Sequence, residues 1–195
     1  IKSSFSTNIQ VKVVDLKSGS YATGVDAATF DQRKASKDPS QSIVAPANDA
    51  KVARIPNHAT VYHVMENGKP VKLILPVEGK GLWSTLYGFL ALEKDVQTIA
   101  GLTFYEHGET PGLGGEVDNP KWKSLWPGRK AFDNSGAAKI EVLKGQAGSV
   151  QDAPHSVDGL SGATITSRGV TYLVRFWLGS NGFGPYLTKF KTGGV

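Results

Sequence analysis

The sequence predicts an α+β fold in which a largely antiparallel sheet carries packed helices, and three observations lead there. Strand-like runs follow one another through short turns, the dipeptide Asn67-Gly68 separates two β-branched runs, and a long amphipathic helical pattern appears only after them, at Thr164–Leu178. Each element can be justified in chain order. Ile9–Asp15 alternates apolar and polar residues with period two, as a half-buried strand does. Residues 27–37 are charged and helix-tolerant, with Phe30 the one large apolar side chain and Pro39 just beyond, so a short surface helix is expected. Residues 40–58 carry Pro46, Asn48 and Pro56 and read as a loop or linker.

The run 60–65, then Asn67-Gly68, then 71–77 is a β-hairpin, because Asn-Gly supplies the positive φ angles that tight hairpin turns need. Residues 82–92 are expected to form a buried strand and 96–106 another. A glycine-rich loop spans 108–115, and a short helix follows with Pro120 in its first turn, stopped by Pro127 and Gly128. Residues 139–144 alternate as a strand. In the last pattern Ile165, Val170, Leu173, Val174 and Trp177 recur at helical spacing, and Gly179 is placed to cap it. The division is 1–39, an N-terminal strand and helix lobe, and 40–195, the main domain, unless the two form one compact unit.

Composition excludes several classes. With 22 Lys plus Arg against 17 Asp plus Glu the net charge is +5 over 195 residues, and no Lys/Arg run concentrates it, so a nucleic-acid partner is not expected. Cysteine is absent, which removes disulfides, thiolate metal sites, thiol nucleophiles and iron–sulfur ligation; any redox role must come from a cofactor. No window approaches the roughly 18 apolar residues that span a bilayer. The chain starts at Ile1 without Met, as a fragment or processed chain would. The four histidines, His58, His63, His107 and His155, form no metal-binding pair, and no metal site is expected. Gly159-Leu-Ser161-Gly162-Ala163 departs from a nucleophile elbow at Ala163, and no histidine follows position 155, so a serine hydrolase is not indicated and no residue is assigned a catalytic role.

One segment carries chemistry of its own. Asp158-Gly-Leu-Ser161-Gly162-Ala163-Thr164-Ile165-Thr166-Ser167 sets small residues and hydroxyls where the last helix begins. Unpaired N–H groups and the positive end of the helix dipole favour a phosphate there. Either this end holds an anion, or Asp158 or Ser161 simply caps the helix.

Asp-Gly-Leu-Ser-Gly-Ala-Thr resembles the acceptor motif of proteins that carry FMN joined through its phosphate to a threonine. A second block, His107-Gly-Glu109-Thr110-Pro111-Gly112-Leu113-Gly114-Gly115-Glu116, is similar to that family's flavin-pocket loop. Residues 81–93, Gly-Leu-Trp-Ser-Thr-Leu-Tyr-Gly-Phe-Leu-Ala-Leu-Glu, resemble one branch of it, the C subunits of Na⁺-translocating NADH:quinone reductases, more than the homologous G subunits of Rnf electron-transport complexes. The likeness runs from about residue 40 to the end.

The resemblance implies an electron-transfer subunit of an NADH:ubiquinone reductase, not a complete catalyst alone, with 40–195 as the FMN-binding domain. Covalent FMN on Thr164 is implied, with Ser161, Gly162, Ala163, Ile165, Thr166, Glu109, Thr110, Pro111, Gly112, Leu113, Gly114, Leu82 and Trp83 around it and Asp158 recognised by the flavin transferase that makes the bond. It further implies partner subunits, an N-terminal membrane helix ahead of these residues, and a place on the periplasmic side of a bacterial inner membrane, with one flavin edge exposed to partners. Besides the Rnf protein, the remaining alternative is a non-redox periplasmic binding module in which the motif is only a capped helix.

Overall fold

Period-two patterning builds the centre of the molecule. The structure, a computed structural model, describes residues 8–195; residues 1–7 of the 1–39 segment lie outside the described residues. β1 (Ile9–Asp15), β4 (His58–Glu66), β5 (Lys69–Lys80), β6 (Thr85–Glu93) and β7 (Ile99–Glu106) form one antiparallel sheet in the order β1-β4-β5-β6-β7. The hairpin turn falls at Asn67 and Gly68, with φ of 51° and 74°, so Glu66 pairs with Lys69. That register fixes the faces. Val61, Leu73, Leu75, Val77, Leu86, Leu90, Leu92 and Phe104 are buried on the inner face, while Tyr62, Ile74 and Phe89 occupy the outer one and stay partly exposed.

The inner face is covered by α3 (Thr164–Leu178), whose Val170, Leu173, Val174 and Trp177 are fully buried. Trp177 Nε1 donates to the Glu78 carbonyl at 2.7 Å. Gly169 lets the start of this helix lie on the end of β5, since a Cβ there would strike the Lys80 carbonyl. The fold is therefore α+β, as the hairpin and the late helix required.

Elsewhere the structure differs from the sequence-based expectations for identifiable reasons. The helix expected over 27–37 is confined to α1 (Gln32–Lys37), because the Asp26 carbonyl and carboxylate organise a turn ahead of it and Asp31 caps it. The 40–58 loop contains a ribbon, β2 (Ser42–Val44) with β3 (Arg54–Pro56). The strand expected over 139–144 shrinks to β8 (Glu141–Val142), which pairs in parallel with β9 (Ser156–Val157). An unexpected helix, α4 (Gly184–Thr192), follows α3; its signals were Pro185 at the start and Gly193, at φ 74°, at the end. β1 pairs with β4 along all seven of its residues, and the Tyr186 hydroxyl of α4 meets His63 Nε2 at 2.8 Å and the Tyr21 hydroxyl at 3.1 Å.

Candidate functional site

Three segments distant in sequence converge at the first turn of α3: the turn 81–84 between β5 and β6, the loop 107–113 after β7, and residues 158–166. The 3₁₀ turn Gly114–Asp118 and α2 (Pro120–Lys123) close the loop from behind. Glu109 joins the three. Its Oε1 accepts the Leu82 N–H at 2.6 Å and the Thr166 hydroxyl at 2.8 Å; its Oε2 accepts the Trp83 N–H at 2.9 Å, the Ser84 N–H at 3.1 Å and the Ser84 hydroxyl at 3.1 Å. Burial alone would push this carboxyl up, but the Leu82 and Trp83 amides with the Thr166 and Ser84 hydroxyls hold it below the usual carboxylate range. His107 braces the loop: its Nδ1 accepts the Glu109 N–H at 3.1 Å, so Nε2 carries the proton that meets Asp118 at 2.6 Å.

The helix start corrects the capping alternative. The N-cap position is Ala163, which offers no side-chain acceptor, and neither Asp158 nor Ser161 caps the helix. Asp158 Oδ1 instead accepts the Ala147 N–H at 2.8 Å, and the Asp158 carbonyl accepts Trp122 Nε1 at 2.8 Å. Ser161 is exposed. Ser167 fastens the bend from within, its hydroxyl accepting the Leu160 N–H and donating to the Ala163 carbonyl, each at 3.0 Å. Gly162 takes φ 69°, a left-handed angle that L side chains rarely adopt, and brings the backbone close to Leu113.

What remains open is an anion-favouring helix end beside apolar side chains. Thr164 is partly exposed and lines none of the four principal cavities. In the three converging segments Trp83 is 69% exposed, Ile165 54%, Leu113 44% and Leu82 40%, bare hydrophobic surface of the kind that a planar aromatic ligand would cover. Thr110, Pro111 and Gly112 are exposed, with the Thr110 carbonyl accepting the Leu113 and Gly115 N–H groups at 3.1 and 2.8 Å, so this loop is a tight, preformed turn. Glu109, Thr166 and Gly114 face inward and are buried. These residues fit FMN: the uncapped amides suit its phosphate, Thr164 supplies a hydroxyl, and the four exposed apolar side chains suit its ring.

Reading the sequence alone missed Ser84 and Trp122, whose bonds no local spacing announces, and Arg168, exposed one helical turn beyond Thr164. Among the described residues no helix is long and apolar enough to cross a membrane, and no cluster of His, Cys, Asp or Glu could hold a metal ion.

Comparison with known proteins bears on this geometry. Residues 81–179 match the family model of the FMN-binding domain, a span that contains all three converging segments. The chain is 50% identical over 196 aligned positions to the C subunit of the Na(+)-translocating NADH-quinone reductase of Pseudomonas aeruginosa, covering 99% of this chain and 75% of that protein. It is 50% identical to the corresponding C subunit of Vibrio vulnificus, covering 98% and 74%. Among solved structures, the crystal structure of Shewanella oneidensis NqrC superposes with a TM-score of 0.91 at 37% identity over 98% of this chain and 88% of that one. The crystal structure of the C subunit from Parabacteroides distasonis gives 0.72 at 31% over 96% and 82%. With its antiparallel sheet, its FMN-binding segment and identity across nearly its full length, this chain belongs to the NqrC family, the C subunits of the Na⁺-translocating NADH-quinone reductase.

Proposed function

We propose that this protein holds FMN covalently, through a phosphoester bond to Thr164, and relays electrons within the reductase. The observation that supports the reading is the uncapped start of α3: a hydroxyl and an anion-favouring backbone occupy the same turn, inside the segment that matches the FMN-binding domain. When bound, FMN supplies the electron-transfer chemistry that no side chain of this cysteine-free protein offers. The protein's own residues do the rest. Thr164 Oγ forms a bond to phosphorus as the P–O bond to a leaving group on the flavin phosphate donor breaks, and its proton passes to that leaving group, so the modified chain gains the mass of FMN less one water. The amides of Gly162, Thr164 and Ile165 and the helix dipole hold the remaining phosphate charge, while the Ala163 N–H closes the turn on the Leu160 carbonyl at 3.1 Å.

Leu82, Trp83, Leu113 and Ile165 wall the ring, the exposed Thr110-Pro111-Gly112 turn meets its polar edge, and Gly114 and Thr166 back the site from within. A covalent tether removes the translational cost of retaining the carrier between turnovers. The open surface at Thr164 leaves one edge of the ring free to face a partner protein. Asp158, with one carboxylate oxygen engaged by Ala147, is the residue that the flavin transferase reads. The same reading places the domain on the periplasmic side of a bacterial inner membrane, tethered by a helix ahead of these residues.

Co-expression with the transferase tests the assignment. Intact-mass measurement after denaturation is expected to show one FMN increment, peptide mapping to place it on Thr164, and Thr164→Val to abolish it while leaving the fold intact. A wild-type chain that matures beside an active transferase and stays unmodified refutes the reading, as does an increment mapped to another residue.

A further inference from the structure

Glu109 is only 5% exposed and forms no ion pair among the described residues, yet five donors from two other segments, residues 82–84 and Thr166, end on its two oxygens. An ionised carboxylate offers about four lone-pair sites, so this one has none left for a ligand. The surroundings are shaped to admit it: a Cβ on Gly81 would collide with Oε1. Ser84 completes the knot, since its hydroxyl donates to Glu109 while accepting the Gly108 N–H at 2.7 Å. Leu82 and Trp83, whose amides are held, keep exposed side chains on the turn that Glu109 ties to the start of α3, and Thr166 lies two residues past Thr164.

Resting on the covalent FMN reading above, we propose that Glu109 is a positioning residue: its carboxylate locks the 82–84 turn onto the first turn of α3 and sets the apolar wall in register with Thr164 before any flavin is attached. Two consequences separate this role from general structural support. The wall is preformed in the flavin-free domain, so loading does not have to order it. The lock also leaves a buried negative charge, solvated by dipoles alone, next to the place where an electron is added, and a fixed anion disfavours that addition.

The test uses Glu109→Gln, which keeps the size but removes the charge and turns an amide N–H₂ toward donors. In the flavin-free domain, hydrogen exchange at the Leu82, Trp83 and Ser84 amides is expected to accelerate at least tenfold. On co-expression with the transferase, the rate of flavin attachment is expected to fall, and the midpoint potential of the loaded fraction to rise above that of the wild type. Thr166→Val cuts only the link to α3 and serves if Glu109→Gln does not fold: loading slows while the Trp83 and Ser84 amides stay protected. A folded Glu109→Gln protein that is merely less heat-stable, with wild-type exchange, loading and potential, overturns the proposal. So does Thr166→Val loading at the wild-type rate. If the wild-type chain itself accepts no FMN, the functional reading fails, and the exchange measurement still decides whether the lock exists.

Discussion

The helices of this domain begin in different ways. Asp31 caps α1 by accepting the Lys34 N–H at 3.0 Å, and Asn119 caps α2 by accepting the Lys121 N–H at 2.9 Å. The starts of α3 and α4 have no side-chain cap. At α4 the opening residues are sealed by packing, with Phe183 and Tyr186 fully buried. At α3 the end is neither capped nor sealed, although it is the longest helix of the domain. A cap contributes about 1 kcal/mol. The buried side chains Val170, Leu173, Val174, Trp177 and Leu178 contribute about 1.5–3 kcal/mol each, so α3 forms without one. Helices of four and six residues have no such reserve. The missing cap is therefore a cost that only a well-buried helix can carry, and what it leaves is a set of unclaimed amides at the surface.

Filling that end gives the largest expected change. Ala163→Asp places a carboxylate beside the proposed phosphate position, and two like charges near 4 Å repel by about 4 kcal/mol at an effective dielectric of 20, so covalent loading is expected to drop about a hundredfold or more. Unfolding free energy is expected to rise in the same variant by about 0.5–2 kcal/mol. Opposite signs in mass spectrometry and denaturant titration would establish that the gap serves binding; a drop in both would mean that Ala163 is retained for packing.

The sealed start of α4 is next. Burial drives His63 from its ordinary 6.5 down to about 4, with Lys12 adding repulsion, so the folded protein keeps this ring neutral while the unfolded chain protonates it. Its contribution is complete above pH 6.5 and is lost as pH falls toward 4, at about 1.4 kcal/mol per pH unit for one proton. Denaturant unfolding at a series of pH values measures it, and His63→Leu is expected to remove that part of the slope. The smallest effect belongs to α1: Asp31→Ala is expected to cost about 1 kcal/mol and leave flavin loading unchanged. Impaired loading there would show that the capped and open ends are coupled.

Legibility followed the range of the interactions. The Asn67-Gly68 turn, the buried alternation of β5 and the whole of α3 were readable because each is set by neighbours a few residues away. The acceptor role proposed for Thr164 comes from the likeness of its motif to a known family and not from any periodicity. The true role of Ser161 and Asp158 at the helix start was not, since capping chemistry looks the same whether or not the chain turns the side chain toward the amides. β2 and β3 were hidden among prolines because three-residue strands carry too little periodicity to register.

The sequence by itself determined the Asn67-Gly68 hairpin, the strands of the central sheet and α3, consequences of backbone preference and of which side chains avoid water, while the hydroxyl at 164 stood out through likeness to a family. The tertiary structure alone decided that Glu109 looks inward and ties together segments 57 residues apart, that Trp122 holds Asp158, and that the end of α3 stays open. Those outcomes depend on which donors surround an acceptor in space, and a linear pattern carries no record of neighbours brought together by folding.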